Sequence, residues 1–215
     1  MPTATPRAIT YYMSMISPWA YIGQRQFADF ARRHALKIDY RPVSLGDLFA
    51  ESGGLPLAKR HPLRLRYRWF ELQRWRDKRG LDFPLQSKHW PFDVTLADGV
   101  VVALCEAGHN PADFILRGFR ASWEQGADLA DAATLARVLK DSGFDAAPLL
   151  AAARTEATRA IYTGNQQRAL ADGVFGSPAW VLDGEVFWGQ DRIELLDDAL
   201  TSGRSAFAGA EGKAD

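Results

Sequence analysis

Strand-like segments occur near the two ends of this 215-residue sequence and are absent from the long stretch between. Ile9 to Met13 is short, apolar and aromatic, and Ile38, Tyr40 and Pro42 repeat with period two. The pattern returns only in Ala179–Leu182 and Glu185–Trp188, which flank Asp183-Gly184, the strongest short hairpin signal. From about residue 44 to residue 173 every periodic segment reads as helix. A chain of this kind has to assemble one sheet from two distant pieces and carry its helical middle as an insertion.

The local signals support that order. Ser17 followed by Pro18 fits an N-cap serine with proline in the first helical position. Tyr21, Ile22, Phe27, Phe30 and Ala31 then supply an apolar face, and the helix runs out near His34 to Leu36. Val43 to Pro56 reads as a loop with one helical turn, and Lys59 to Arg79 as a basic, aromatic helix. That helix has an apolar stripe of Leu65, Trp69, Leu72 and Trp75, widened by Leu63, Tyr67 and Phe70. Leu81 to Pro91 is irregular, with Pro84 and Pro91 as breakers. Helices are predicted over Gly99–Gly108, Ala112–Gln125 and Asp131–Ser142, and one more from Ala147 to Leu170. Gly176-Ser177-Pro178 is a turn into the hairpin. Gln190 or Asp191 begins a final helix, with Ile193, Leu195, Leu196 and Leu200 on its apolar face. The expected fold is α/β: a thioredoxin-like fold with a large all-helical insertion. Residues 1–44 and 171–203 form the thioredoxin-like part, 45–170 the inserted helical domain, and 204–215 a frayed tail rich in Gly, Ala, Ser and charge.

Composition excludes several classes. Lys and Arg number 26 and so do Asp and Glu, so nothing global favours nucleic acid or an anionic membrane. The basic run from Lys59 to Arg79 is cancelled elsewhere and reads as a solvated face. Cys105 is the only cysteine, which rules out an intrachain disulfide and favours a reducing, cytoplasmic setting. It falls on an apolar helix face and is expected to be buried and inert. The four histidines lack metal-like spacing, so no metal site is expected. No run of about 18 apolar residues is present, and Met1–Arg7 lacks the apolar core of a signal peptide.

Three motifs carry a resemblance to the 2-hydroxychromene-2-carboxylate isomerases, which belong with the kappa-class glutathione transferases and the DsbA-like proteins. Ile16-Ser17-Pro18-Trp19-Ala20-Tyr21 resembles that family's Ser-Pro-aromatic-x-Tyr segment. Glu71-Leu72-Gln73-Arg74-Trp75 is similar to its acidic-Leu-x-Arg-Trp helix. Gly173–Pro178 with Phe187–Arg192 is similar to its Val-Phe-Gly-x-Pro and Trp-Gly-x-Asp-Arg pair. The order and separations agree over roughly residues 8 to 200, and the last pair is the specific one.

The resemblance implies a glutathione site. Ser17 stands where thioredoxin-like oxidoreductases place their first reactive cysteine, and with Ala20 it replaces a Cys-x-x-Cys, so disulfide exchange is disfavoured. Its hydroxyl is expected to donate to the glutathione sulfur at a helix N-terminus, which favours thiolate over thiol. Ser177 would pair its backbone with the cysteinyl unit ahead of a cis Pro178, and Trp188, Gly189, Gln190 and Asp191 would hold the γ-glutamyl end. The implied reaction is cis–trans isomerisation of an aromatic carboxylate, with the nucleophile on the cofactor. Relatives are often homodimers. Three positions depart from the pattern: Phe49 replaces a lysine, Ala58-Lys59 replaces Asn-Arg, and Asp98-Gly99 replaces Asn-Thr. Lys59 is thus the expected substrate-binding cation. The glutathione half is intact, and the substrate half leaves room for a related molecule or another electrophile. The alternatives are a kappa-like glutathione transferase and a thioredoxin-like binding module without activity.

Overall fold

A computed structural model describes residues 8–209. Met1–Arg7, read above for a leader, and residues 210–215 of the expected tail lie outside it. The first piece is β1 (Ala8–Met13), α1 (Pro18–Arg33) and β2 (Lys37–Pro42). The last is β3 (Ala179–Leu182), β4 (Glu185–Trp188), a 3-10 turn (Gln190–Arg192) and α9 (Ile193–Ser202). They make one mixed sheet in the order β2-β1-β3-β4, with β1 and β2 parallel and the other two pairs antiparallel. This is the thioredoxin-like fold of the DsbA type.

Among the described residues, seven α-helices lie between the two pieces: α2 (Leu45–Glu51), α3 (Pro62–Lys78), α4 (Thr95–Glu106), α5 (Ala112–Trp123), α6 (Ala132–Asp141), α7 (Ala146–Ala152) and α8 (Glu156–Ala171). One apolar core runs through both parts. Tyr11 of β1 lies against Trp180 of β3 at 5.5 Å between ring centroids, and Tyr21 of α1 stacks on Trp123 of α5 at 6.0 Å. All four rings are buried, and aromatic side chains of this size dominate core energetics. The C-terminal turn is pressed onto α1, where a Cβ on Gly23 would come within 2.7 Å of the Gln190 Cβ. Gly23 is therefore a packing requirement.

Four local expectations are corrected. Val43–Pro56 contains the two-turn helix α2, whose Ser44 hydroxyl accepts from the Asp47 N–H. The helix expected from Gly99 starts earlier, at Thr95. The single helix expected from Ala147 to Leu170 is two, because Thr155 caps α8 by accepting from Thr158 N–H and turns the chain. The α3 stripe is mostly not core: Leu72 is buried, whereas Leu63, Tyr67, Trp69 and Phe70 are exposed. Arginine covers some of these rings instead, with Arg66 over Phe70 and Arg74 over Tyr67.

The segment read as a frayed tail begins with a tether. Arg204 takes both carboxylate oxygens of Glu185 on β4, at 2.7 and 2.9 Å, and its guanidinium lies over Phe207. Cys105 is half-buried, with burial pushing its thiol up to about 12, so it is inert. No helix among the described residues is long and apolar enough to cross a membrane.

Candidate functional site

The sheet brings the two distant motifs face to face. Ser17 ends the loop after β1 and caps α1, its Oγ accepting from Ala20 N–H at 3.2 Å. The same hydroxyl donates to the Ser177 carbonyl at 3.2 Å. Ser177-Pro178 is cis, as expected. The Ser177 hydroxyl is buried and has no hydrogen-bond partner among the described residues. The site therefore holds a hydroxyl at a helix N-terminus, a carbonyl committed to that hydroxyl, and a second hydroxyl that is unmatched. Neither serine is replaced by a cysteine, so the pair has no redox chemistry.

The Trp188–Asp191 segment joins the same corner through Gly189, whose N–H donates to the Pro178 carbonyl at 2.9 Å. Gly189 sits at φ 106, and a Cβ there would meet Asp191 Oδ1 at 2.6 Å, so glycine is required. Trp188 is half-exposed and its ring lies 4.6 Å from that of Phe175. Gln190 is buried, and its Oε1 accepts from Arg79 Nη2 of the α3 C-terminus at 3.1 Å. Asp191 does not cap the final helix: α9 has no side-chain cap, and the Asp191 carboxylate takes the Arg192 guanidinium. Lys59 ends an exposed 3-10 turn (Leu57–Lys59) and forms no ion pair among the described residues.

Several residues around the site carry no motif. Asp98, in the first turn of α4, is wholly buried under the loop that leads to Ser17. Its Oδ1 accepts from Met15 N–H at 2.8 Å; its Oδ2 accepts from the Ser14 hydroxyl at 2.8 Å and the Tyr162 hydroxyl at 3.0 Å. The Ser14 carbonyl in turn accepts from Ser17 N–H at 3.0 Å. Burial pushes the Asp98 carboxyl up to about 7, against the three donors that pull it down. The sequence marks it in two ways: as an acid inside the apolar run Leu96–Leu104, and as half of the Asp98-Gly99 pair that departs from the resembled pattern. Trp90 donates its indole N–H to the Ile16 carbonyl at 3.0 Å, one residue from Ser17. The Arg68 guanidinium of α3 lies over the Trp90 ring, 5.2 Å from its centroid. Arg68 and Arg79 were legible only as members of a basic run.

Comparison with known proteins agrees with the fold that carries this site. A family model described as a DSBA-like thioredoxin domain matches residues 8–201. Three curated relatives carry the name 2-hydroxychromene-2-carboxylate isomerase. One, from Sphingobium xenophagum, is 29% identical over 196 residues, covering 90% of this chain and 98% of that protein. A solved 2-hydroxychromene-2-carboxylate isomerase superposes with a TM-score of 0.74 at 22% identity, over 91% of this chain and 95% of that one. The cytosolic disulfide reductase DsbM from Pseudomonas aeruginosa, solved with GSH, superposes with a TM-score of 0.67 at 17% identity, over 91% and 98%.

Proposed function

The chain belongs to the DsbA-like thioredoxin family, and on that premise we propose that it is a glutathione-dependent cis–trans isomerase of 2-hydroxychromene-2-carboxylate or a similar aromatic carboxylate. The observation that carries the reading is the Ser17 hydroxyl, buried at the N-terminus of α1 and facing the Ser177 carbonyl where disulfide enzymes would need cysteine. The names of the curated relatives, which match along nearly their whole length, support an isomerase. The DsbM neighbour, which shares the fold, was solved with GSH, and this supports glutathione as the ligand class.

The residues present fit glutathione. The unmatched Ser177 hydroxyl is a buried polar atom that lacks a partner, and a bound peptide can supply one. Ser177 would pair its backbone with the cysteinyl unit. Trp188, Gly189, Gln190 and Asp191 would receive the γ-glutamyl end, Asp191 by attracting its ammonium. Glutathione, when bound, supplies a thiolate that adds reversibly to a conjugated carbon, so that the former double bond can rotate.

The chain's own part is to hold that sulfur as an anion. Ser17 now gives its proton to the Ser177 carbonyl. A peptide N–H that pairs with this carbonyl competes for the same oxygen and releases the hydroxyl to donate to sulfur. The α1 N-terminus adds partial positive charge at the same place. Both effects stabilise thiolate over thiol.

The test is a spectroscopic isomerisation assay on protein stripped of small thiols by desalting. Turnover is expected to vanish on stripping and to return when glutathione is added back. Turnover that persists at full rate in the stripped protein would overturn the mechanism. Conjugate that accumulates while glutathione is consumed would identify a transferase instead.

A further inference from the structure

We propose that Arg60 and Arg68 form the subsite for the carboxylate of an aromatic substrate, whose ring lies along Trp90 beside the Ser17 loop. The inference rests on the isomerase reading for its reaction, and on independent observations for its location.

The first observation is a lack of compensation. Arg68 and Arg60 are both half-buried, and neither has a carboxylate partner among the described residues. Arg60 spends only its Nε, on the Leu55 carbonyl at 2.8 Å. Many other arginines are matched, among them Arg74 with Glu71, Arg117 with Asp113, Arg159 with Glu156, Arg168 with Asp172 and Arg204 with Glu185, while the part-buried Arg76 and Arg79, which also lack a carboxylate partner among those residues, donate to the Phe83 carbonyl and to Gln190 Oε1. Burial pulls the Arg68 guanidinium below its ordinary range and the charge of Arg60 adds to this, so the two cations lie within each other's field. Arg64, one helical turn away, acts on Arg60 in the same sense. Like charges held together and partly desolvated are costly unless an anion completes them.

The second observation is the company these cations keep. Each guanidinium lies over an aromatic face: Arg68 over Trp90 at 5.2 Å and Arg60 over Phe49 at 5.4 Å. Flat apolar walls beside a pair of guanidinium forks suit a planar acid, with the ring on the walls and the carboxylate on the forks. Third, the wall is tied to the reacting corner, because the Trp90 indole N–H donates to the Ile16 carbonyl next to Ser17. These residues take over the role that the sequence alone assigned to Lys59. Phe49, which displaces the lysine of the resembled family, becomes a wall.

The experiment uses trans-cinnamate and its methyl ester as probes, titrated calorimetrically into the full chain without glutathione. The native protein is expected to bind the acid at least about 10-fold more tightly than the ester. Arg68→Gln and Arg60→Gln are each expected to weaken the acid by about 10- to 100-fold, the worth of one charge-assisted hydrogen bond, and to leave the ester unchanged. With a carboxylate substrate the loss is expected in KM, with kcat and glutathione affinity close to native. Equal affinity for acid and ester in the native protein, or native acid affinity in both folded variants, would overturn the subsite. Because the titration needs no glutathione, a failed isomerase reading and a failed subsite give different results.

Discussion

Asp98→Ala is expected to cost about 3–5 kcal/mol of stability, read as a fall in the urea midpoint, because it strands three donors in the interior. Met15 N–H, the Ser14 hydroxyl and the Tyr162 hydroxyl all end on this carboxyl. Each costs about 1–3 kcal/mol if left buried and unmatched, less what the two hydroxyls recover by rotating. Asp98→Asn keeps an oxygen for Met15 and an amide for a hydroxyl, so its cost is expected to be smaller, about 1 kcal/mol. The pH dependence has a definite sign. The folded carboxyl sits at about 7, above the usual unfolded value of about 3.9. Below about pH 4 both states are protonated and the group has no effect. As pH rises from there towards 7, the unfolded state releases a proton that the folded state retains. Stability from this group is therefore lost over that window and stays flat above it. The Asp98→Asn variant is expected to lack this slope, so its stability relative to the native protein should rise from pH 4 to pH 7. Parallel curves for the two proteins would refute the assignment. Asp98 is a positioning residue, since it holds Ser14 and Met15 and, through the Ser14 carbonyl, the N–H of Ser17.

On the proposed function, Ser17→Ala is expected to lower kcat by about 100- to 1,000-fold, the usual effect of removing one donor to a developing anion. The pKa of bound glutathione, followed by thiolate absorbance, is expected to rise. Some stability should also go, about 1 kcal/mol, because the same oxygen caps α1. Ser17→Thr keeps a hydroxyl in both roles and is expected to restore most of the cap and part of the rate. An unchanged thiol pKa in the alanine variant would remove Ser17 from the chemistry and leave it as a cap.

What the sequence made legible follows from how local each signal is. Ser17-Pro18 and Asp183-Gly184 are decided by a few adjacent residues, and both occur as read, with Asp183 at φ 51 and Gly184 at φ 86 in the hairpin turn. Thr155 is hidden because the alanine-rich sequence around it continues a helical pattern, and residues 149–163 contain no Gly or Pro to interrupt it. The α3 stripe misled for another reason. Periodicity reports which side chains share a face, and it cannot say whether a core or a set of guanidinium groups covers them. The roles of Asp98 and Arg68 cannot be read locally, because their meaning comes from partners 83 and 22 positions away, Met15 and Trp90; the sequence marks Asp98 only as a departure from the resembled pattern. An acid at a helix start is usually a cap, but the carboxylate of Asp191 is claimed by the adjacent Arg192.

The contact between Ser17 and Ser177 spans 160 positions. Closing a loop of that size costs about 4–5 kcal/mol of chain entropy on a simple polymer scale. During synthesis β1, α1 and β2 emerge first, yet the neighbour that completes β1 is made only after the helical middle. A nascent chain thus waits with one side of its first strand open until the hairpin arrives. A chain that stops short of Ser177 cannot have a weakened version of this corner, because half of the corner has not yet been translated.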